Sequence, residues 1–300
     1  MLYLKSRQNT PTSVVDEQVK AMLRDQVEQT SDMNVMESLE VSDLNLETVH
    51  KYRNRHRFFK PSHPWIDLSD EDYLCMIGAM DKDKHGTFHP TGAGLLMFGN
   101  EYRIVRHYHE YSLDYREMLD PTIRWTDRLY SSSGEWTGNL FDFYFRVYNK
   151  IILNVKVPFK MNGGERVDDT PVHRALREVL ANCLVNSDFY VPRGIVIKQK
   201  NDILIIENPG TIRVGKYQMK VGDESDPRNK AFMKMFNLIG IGAVSYTHLD
   251  VYKRQEQLIP HDIIYDAEDG LLLMIIGQRY CEIPVPAYKI RCSIDRIQNP

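Results

Sequence analysis

The stretch ALREVLANCLVNSDF, residues 175–189, places Glu178 and Asn182 four positions apart. Four residues of α-helix rise about 6 Å, so the two side chains project together from one face. Leu176, Val179, Leu180, Cys183 and Leu184 take an apolar stripe, and Arg174, Glu178, Asn182 and Asn186 a polar one. Asparagine is a poor helix former, so its place in that stripe asks for a reason. A solvated face is one reading. The other is a magnesium and nucleotide site. An asparagine oxygen is a hard magnesium ligand, and a glutamate beside it can orient or deprotonate a water attacking a γ-phosphate. The following segment, GIVIKQKNDILIIENPG, shifts the balance to the second. Two apolar runs flank Lys200-Asn201-Asp202, a hairpin pattern. Gly210 comes straight after a buried strand, where glycine lets backbone approach a ligand closely.

Other motifs carry less chemistry. Gly210 to Lys216 fits G-x-x-x-x-G-K, but Tyr217 replaces the Ser or Thr that holds magnesium in a P-loop, and the residues after it make a poor helix. In DKDKHGTFHPTG, Asp81, Asp83 and Gly86 keep the register of a calcium loop, but Gly92 stands where a bidentate glutamate is needed, so a polar turn is expected. His107 and His109 would share a strand face, and His85 and His89 form a looser pair. With no third ligand placed beside them, ordinary histidines are expected. The run KYRNRHRFFK sets Lys51, Arg53, Arg55, Arg57 and Lys60 among Tyr52, Phe58 and Phe59. Cations neutralise phosphates and aromatics stack on unpaired bases. The same cations also suit the C-terminal end of a solvated helix. Spacing alone leaves both open.

Composition bounds these readings. The 300 residues suggest two domains or one large one, and a 42% hydrophobic fraction is enough for a core. The net charge of −3 provides no global field toward nucleic acid, so any such binding must come from a local patch. Cys75, Cys183, Cys281 and Cys292 form no C-x-x-C pair, which argues against a zinc ribbon or a disulfide framework and fits a reducing cytosol. No apolar run approaches the roughly 20 residues that span a bilayer, and Met1 opens into LYLKSRQNT with no signal peptide. A cytoplasmic location without a membrane partner is expected.

The elements that must position these residues follow from pattern. LYLKS reads as a strand, and Ser13 with Asp16 caps a helix from Val14 to about Gln29. A strand is expected over Met33–Val41 and a helix over Leu46–Phe59. Pro61 and Pro64 break the chain, a domain boundary. Ser69 and Asp72 cap a helix to Met80. GLLMFG is a buried segment, RIVRHYHEYSL alternates like a strand, and NLFDFYFRVYNKIILNV is helical. Gly163-Gly164 marks a linker. Asp226-Pro227 caps a helix to about Leu238, with Asp at the N-cap and Pro at N1. The runs DIIYD and LLLMIIG read as strands.

The order of an E-x-x-x-N helix, a strand and a glycine turn resembles the GHKL ATPases. In detail the chain resembles bacterial predicted transcriptional regulators that join a Schlafen-type AlbA DNA-binding domain to a divergent GHKL ATP-binding domain, often labelled RecG-like. The resemblance is carried by HPTGAGLLMFG (89–99), LDYRE (113–117), RW (124–125), GNLFDFYF (138–145), PVHRALREVLANCLVNSDF (171–189), RGIVI (193–197), ENPG (207–210) and SDPRNKAFMKMFNLIGIG (225–242). It covers most of residues 1–242. It implies that Glu178 orients water and that Asn182 binds magnesium. Asn208 stands where those proteins carry the aspartate that reads the adenine amine, and an amide oxygen accepts that bond less strongly. Gly210 matches the glycine of that turn. Asp188 stands nearest to the aspartate that follows the magnesium asparagine. ATP and Mg2+ are the implied cofactors and DNA the implied partner, with at most slow hydrolysis and no helicase activity.

Similar proteins continue after IGIG with Glu-Arg and a second glycine motif, Gly-Ser-Gly. Here Gly242 is followed by AVSYTHLDVYKRQ, residues 243–255. Those residues back-translate, with permitted codons, into a string that is nearly its own reverse complement. It resembles two transposon-end sequencing adapters joined head to head. The expected organisation is α+β. Residues 1–60 are the C-terminal part of an AlbA-type domain and 61–165 a mixed connecting region. Residues 166–242 are a truncated GHKL-like α/β sandwich, 243–255 an adapter artefact, and 256–300 a sequence of unknown origin. Two functions from different classes follow. One is ATP-binding regulation of a nucleic-acid-bound protein. The other is a non-enzymatic DNA-binding regulator whose nucleotide site is vestigial, and Asn208 in place of aspartate favours it over an active ATPase.

Overall fold

The computed structural model describes residues 30–153, 161–162, 165–166, 171–200, 203–210, 226–241, 265–266, 271–275, 280–284 and 288–293. The expected opening strand, the helix from Val14, the Gly163-Gly164 linker, Lys216 and residues 243–255 lie outside them. The fold is α+β.

Helix α1 (Leu46–Phe59) has the expected bounds, and the Asn45 side chain caps it by accepting from Thr48 N. Helix α2 (Asp70–Ile77) starts from Ser69, whose hydroxyl accepts from Asp72 N. It ends three residues short of Met80 because Gly78 turns left-handed, at φ 88°. Strands β1 (Met80–Lys82) and β2 (Phe88–Pro90) form a hairpin around DKHG. The Asp83 carboxylate there accepts from His85 N and Thr87 N, so the polar turn is held by backbone. Helix α3 (Gly92–Phe98) is buried at every position.

Three expectations fail for a common reason. Over Met33–Val41 there is no strand. Ser31–Met33 and Val41–Asp43 are 3-10 turns, and Val35 makes a single bridge to Thr91. Residues 101–107 form helix α4 (Glu101–His107) instead of a strand. Ile104 and Tyr108, one turn apart, are the residues it buries, so the working period is four and not two. His107 and His109 therefore share no strand face. The helix after Asp226-Pro227 begins only at Lys230. Each is set by contacts from distant parts of the chain that local pattern does not contain.

The main sheet joins β3 (Leu113–Glu117), β4 (Asp127–Tyr130), β7 (Ile195–Lys200) and β8 (Ile203–Asn208) in the order β8-β7-β3-β4. Strands β3 and β7 are parallel, the other pairs antiparallel. The chain between the parallel pair passes through helix α5 (Leu140–Ile152), a minor hairpin of β5 (Met161–Asn162) and β6 (Glu165–Arg166), and helix α6 (Pro171–Asn186). A parallel pair needs such a long crossover. Helix α6 packs on α5, on β8 and on helix α7 (Lys230–Leu238). Beyond α7, β9 (Tyr265–Asp266), β10 (Leu271–Ile275) and β11 (Tyr280–Pro284) form a sheet of their own. Strand β12 (Tyr288–Ser293) pairs with the outer edge of β8.

The sheet has two unlike faces. Leu113, Tyr115, Ile195, Ile197, Leu204 and Ile206 are buried in one core that runs in sequence from Leu39 to Ile241. That core continues across the prolines at 61 and 64. The opposite face carries Asp114, Arg116, Arg128, Tyr130, Val196, Lys198 and Glu207 in register. Asp114 is 4% exposed and receives Nε and Nη2 of both Arg116 and Arg128. Burial pushes its carboxyl up, but hydrogen bonds from Arg128 and Arg116 outweigh it and hold the group below its ordinary value of 3.8.

Two stability predictions follow from these contacts. Asp114→Asn should lose about 1–3 kcal/mol at neutral pH. A depressed folded pKa gives stability that is complete above the unfolded value and lost as pH falls through the folded one. Urea unfolding curves of wild type and variant should therefore converge in acid below 3.8. Asp32, which accepts from Ala231 N at 2.9 Å and Phe232 N at 3.3 Å, caps α7 from about two hundred residues away. Asp32→Ala should cost about 1–3 kcal/mol, and Asp32→Asn less, because one oxygen remains. A wild-type urea midpoint for Asp32→Ala would show that the cap is idle.

Candidate functional site

The chain after α6 is fixed from three sides. Ser187 Oγ donates to the Cys183 carbonyl at 2.7 Å. Asn229 Nδ2 donates to the carbonyls of Val185 at 2.9 Å and Ser187 at 2.8 Å. Asp188 N donates to the Pro209 carbonyl at 2.9 Å, which draws the Asn208–Gly210 turn onto the end of the helix. Gly210 sits at φ +116°, and a Cβ there would lie 3.1 Å from Asp188 Cβ and 3.5 Å from Arg228 Nε. Only glycine takes that conformation without strain.

Asp188, Asn208 and Gly210 are thus brought together. Asp188 forms a buried ion pair with Arg228, Oδ2 to Nη1 at 3.5 Å, and its Oδ1 accepts from Tyr190 N. Asn208 is buried at the end of β8 on the core face, and its amide nitrogen has no hydrogen-bond partner among the described residues. Beside them is a small recess of about 10 Å3, partly open and lined by Asp32, Tyr108, Asp188, Tyr190, Arg228 and Asn229 among others. At Asp32, burial pushes the carboxyl above its ordinary 3.8, against hydrogen bonds from Thr30, Phe232 and Ala231 that pull it down.

Glu178 and Asn182 stand one turn apart on the half-buried stripe of α6, as expected, but neither lines the recess. The Asn182 carbonyl accepts from Asn186 Nδ2. Sequence reasoning missed Asp32, Arg228 and Asn229. The last two lie in the SDPRNK motif, which was a signal without a role. Asp32 had none.

The basic helix is largely engaged inside the fold. Arg53 pairs with Asp70 at 3.0 Å, donates to the Ser69 carbonyl and lies 4.2 Å over the Tyr73 ring. Arg55 lies 3.6 Å over Phe145. Lys51 pairs with Glu47 and Arg57 reaches Asp67, each keeping about half of its side-chain surface. Behind them His56 is buried against Tyr73 and His63, and burial lowers its pKa to about 4. Among the described residues no group of three His, Cys, Asp or Glu is placed to hold a metal, and no helix is long and apolar enough to cross a membrane.

Comparison with known proteins adds a family match over part of the chain and a likeness of fold. Residues 20–114 match a family model described as a domain of unknown function, DUF8451. No curated protein matches the sequence. Among solved structures, the chain is similar to the DIP2311 protein from Corynebacterium diphtheriae, with a TM-score of 0.59 and 16% identity. The match covers 92% of this chain and 49% of that one, so the chain spans about half the length of that structure. At this identity the likeness concerns the fold alone.

The contacts of the basic helix separate its members by experiment. Arg53→Gln should lose about 1–2 kcal/mol in urea unfolding, because it removes a half-buried ion pair and a hydrogen bond. Lys51→Gln should stay within about 0.5 kcal/mol. Equal losses would mean that both cations serve only as a solvated face.

Proposed function

We propose that the chain belongs to a nucleic-acid-associated regulator and carries a divergent nucleotide-binding module that hydrolyses ATP slowly or not at all. Asn208 carries the reading. A buried amide nitrogen without an acceptor costs about 1–3 kcal/mol, and this one stands at the mouth of the glycine turn, where the resemblance places the base-reading residue. Its amide can exchange hydrogen bonds with a purine edge. Asn182 would hold Mg2+ and Glu178 would orient water, from the half-buried stripe of the helix that ends on this turn.

The size of the recess sets a limit. Small-molecule sites span roughly 300–1,000 Å3, and a recess of about 10 Å3 does not enclose a nucleotide. The second glycine motif of similar proteins, whose backbone amides would meet the phosphates, is replaced in sequence by residues 243–255. Weak binding by this chain is the consequence. The second reading, a DNA-binding regulator with a vestigial nucleotide site, is favoured by the Asp188–Arg228 ion pair, which already occupies that carboxylate.

Titration calorimetry with Mg-ATP tests both. The 300-residue chain should bind weakly or not at all. A version continuing after Gly242 with Glu-Arg and Gly-Ser-Gly in place of 243–255 should bind. In that version Asn182→Ala should remove magnesium-dependent binding, and Glu178→Ala should spare binding and lower any hydrolysis. Equal ATP affinity in wild type and Asn182→Ala would overturn the assignment, and no binding by either chain would favour the vestigial site.

A further inference from the structure

The outer face of the main sheet carries charge in an unusual arrangement. Arg128 on β4, Arg116 on β3 and Lys198 on β7 are direct neighbours in register, so three cations run in a row across three strands. Like charges directly opposite one another destabilise a sheet. Two carboxylates on that face offset part of this, Asp114 between the arginines and Glu207, which accepts from Lys198 at 3.1 Å. Lys200 continues the row of β7 and is exposed, as is Arg124 in the loop before β4. Nearby Glu117 and Asp127 pair with each other in register on the alternate positions, and they bond Thr126 and Lys150. Asp120, at the loop tip, accepts from Thr122. The face therefore keeps more cations than anions in a chain whose net charge is −3.

Aromatic rings are interleaved with these cations. The Trp125 ring has Arg124 and Arg128 at 4.3 Å each and Arg116 at 5.9 Å. Arg128 also lies 4.7 Å from the Tyr130 ring. Forked guanidinium groups suit phosphate, and an aromatic ring beside them offers a face or edge to an unpaired base. A duplex hides its base faces, and an acidic peptide has no use for the rings. We infer that the outer face of strands β4, β3 and β7 is a binding surface for single-stranded nucleic acid, with Arg124, Arg128, Arg116 and Lys200 on the backbone and Trp125 against a base. The inference rests on the nucleic-acid half of the proposed function and needs nothing of the nucleotide site.

The test is fluorescence anisotropy of a labelled oligothymidylate of about 20 nucleotides, longer than one typical site, with the full 300-residue chain and no ATP. Binding should weaken with salt. The double variant Arg124→Gln/Lys200→Gln changes two exposed side chains, and it should flatten the log–log salt slope by about 1.4. Trp125→Ala should weaken binding about tenfold. Lys51→Gln/Arg57→Gln should leave the slope unchanged. An unchanged slope in the Arg124/Lys200 variant, with binding intact, would overturn the surface but keep the association. Absence of any oligonucleotide binding would overturn both. Equal binding of a duplex, or equal competition by polyglutamate, would overturn the single-strand assignment.

Discussion

An α-helix ends with carbonyls that lack donors and begins with amides that lack acceptors. At one place in this protein both deficits are met by side chains from elsewhere. Asn229 gives its amide to the Val185 carbonyl in the last turn of α6 and to that of Ser187 just past it, and Asp32 gives its carboxylate to the first amides of α7. The two helices are thereby set end against start. The chain leaving α6 can then place Asp188 N on Pro209 O, and the Asn208–Gly210 turn follows. Asp32, Ser187, Asp188 and Asn229, which line the recess, all belong to this junction. Asp32 also ties the segment around Thr30 to a helix about two hundred residues later, so the recess is assembled from segments far apart in sequence.

The same junction explains which parts of the fold were legible. The bounds of α1, the helix over 140–152 and the 195–208 hairpin follow from local caps, apolar spacing and turn residues. The start of α7 did not. Asp226-Pro227 has the right residues for a cap, but Asn229 is used on a neighbouring helix and Asp32 supplies the cap from afar. The segment 103–113 was misread because its apolar residues also alternate. Burial of Ile104 and Tyr108 one turn apart decides for helix. At the site, Glu178 and Asn182 were legible as one helix face, and Asp188, Asn208 and Gly210 do converge. Their closest neighbour, Arg228, shows no chemistry in sequence that separates it from other arginines.

Two groups of basic residues show how a charge acquires its role. In α1 the arginines and lysines meet partners within the fold: Asp70, Glu47, Asp67 and the rings of Tyr73 and Phe145. Their number suggested nucleic acid, yet most of their capacity is already engaged, and Arg53 serves the packing of α1 on α2. On the outer face of the sheet the cations stand in register across neighbouring strands, and Asp114 answers two of them at once. Its buried carboxylate lets Arg116 and Arg128 sit opposite each other without unfolding the pair of strands. It leaves their outward potential only partly cancelled. Repulsion across a sheet is relieved most by an anion that bridges neighbouring strands, and a polyanion does this without ordering long side chains of its own. What distinguishes the two groups is therefore the position of the counter-charge. Beside α1, Lys51, Arg53 and Arg57 each have a carboxylate of their own, and on the sheet Asp114 is shared by two arginines.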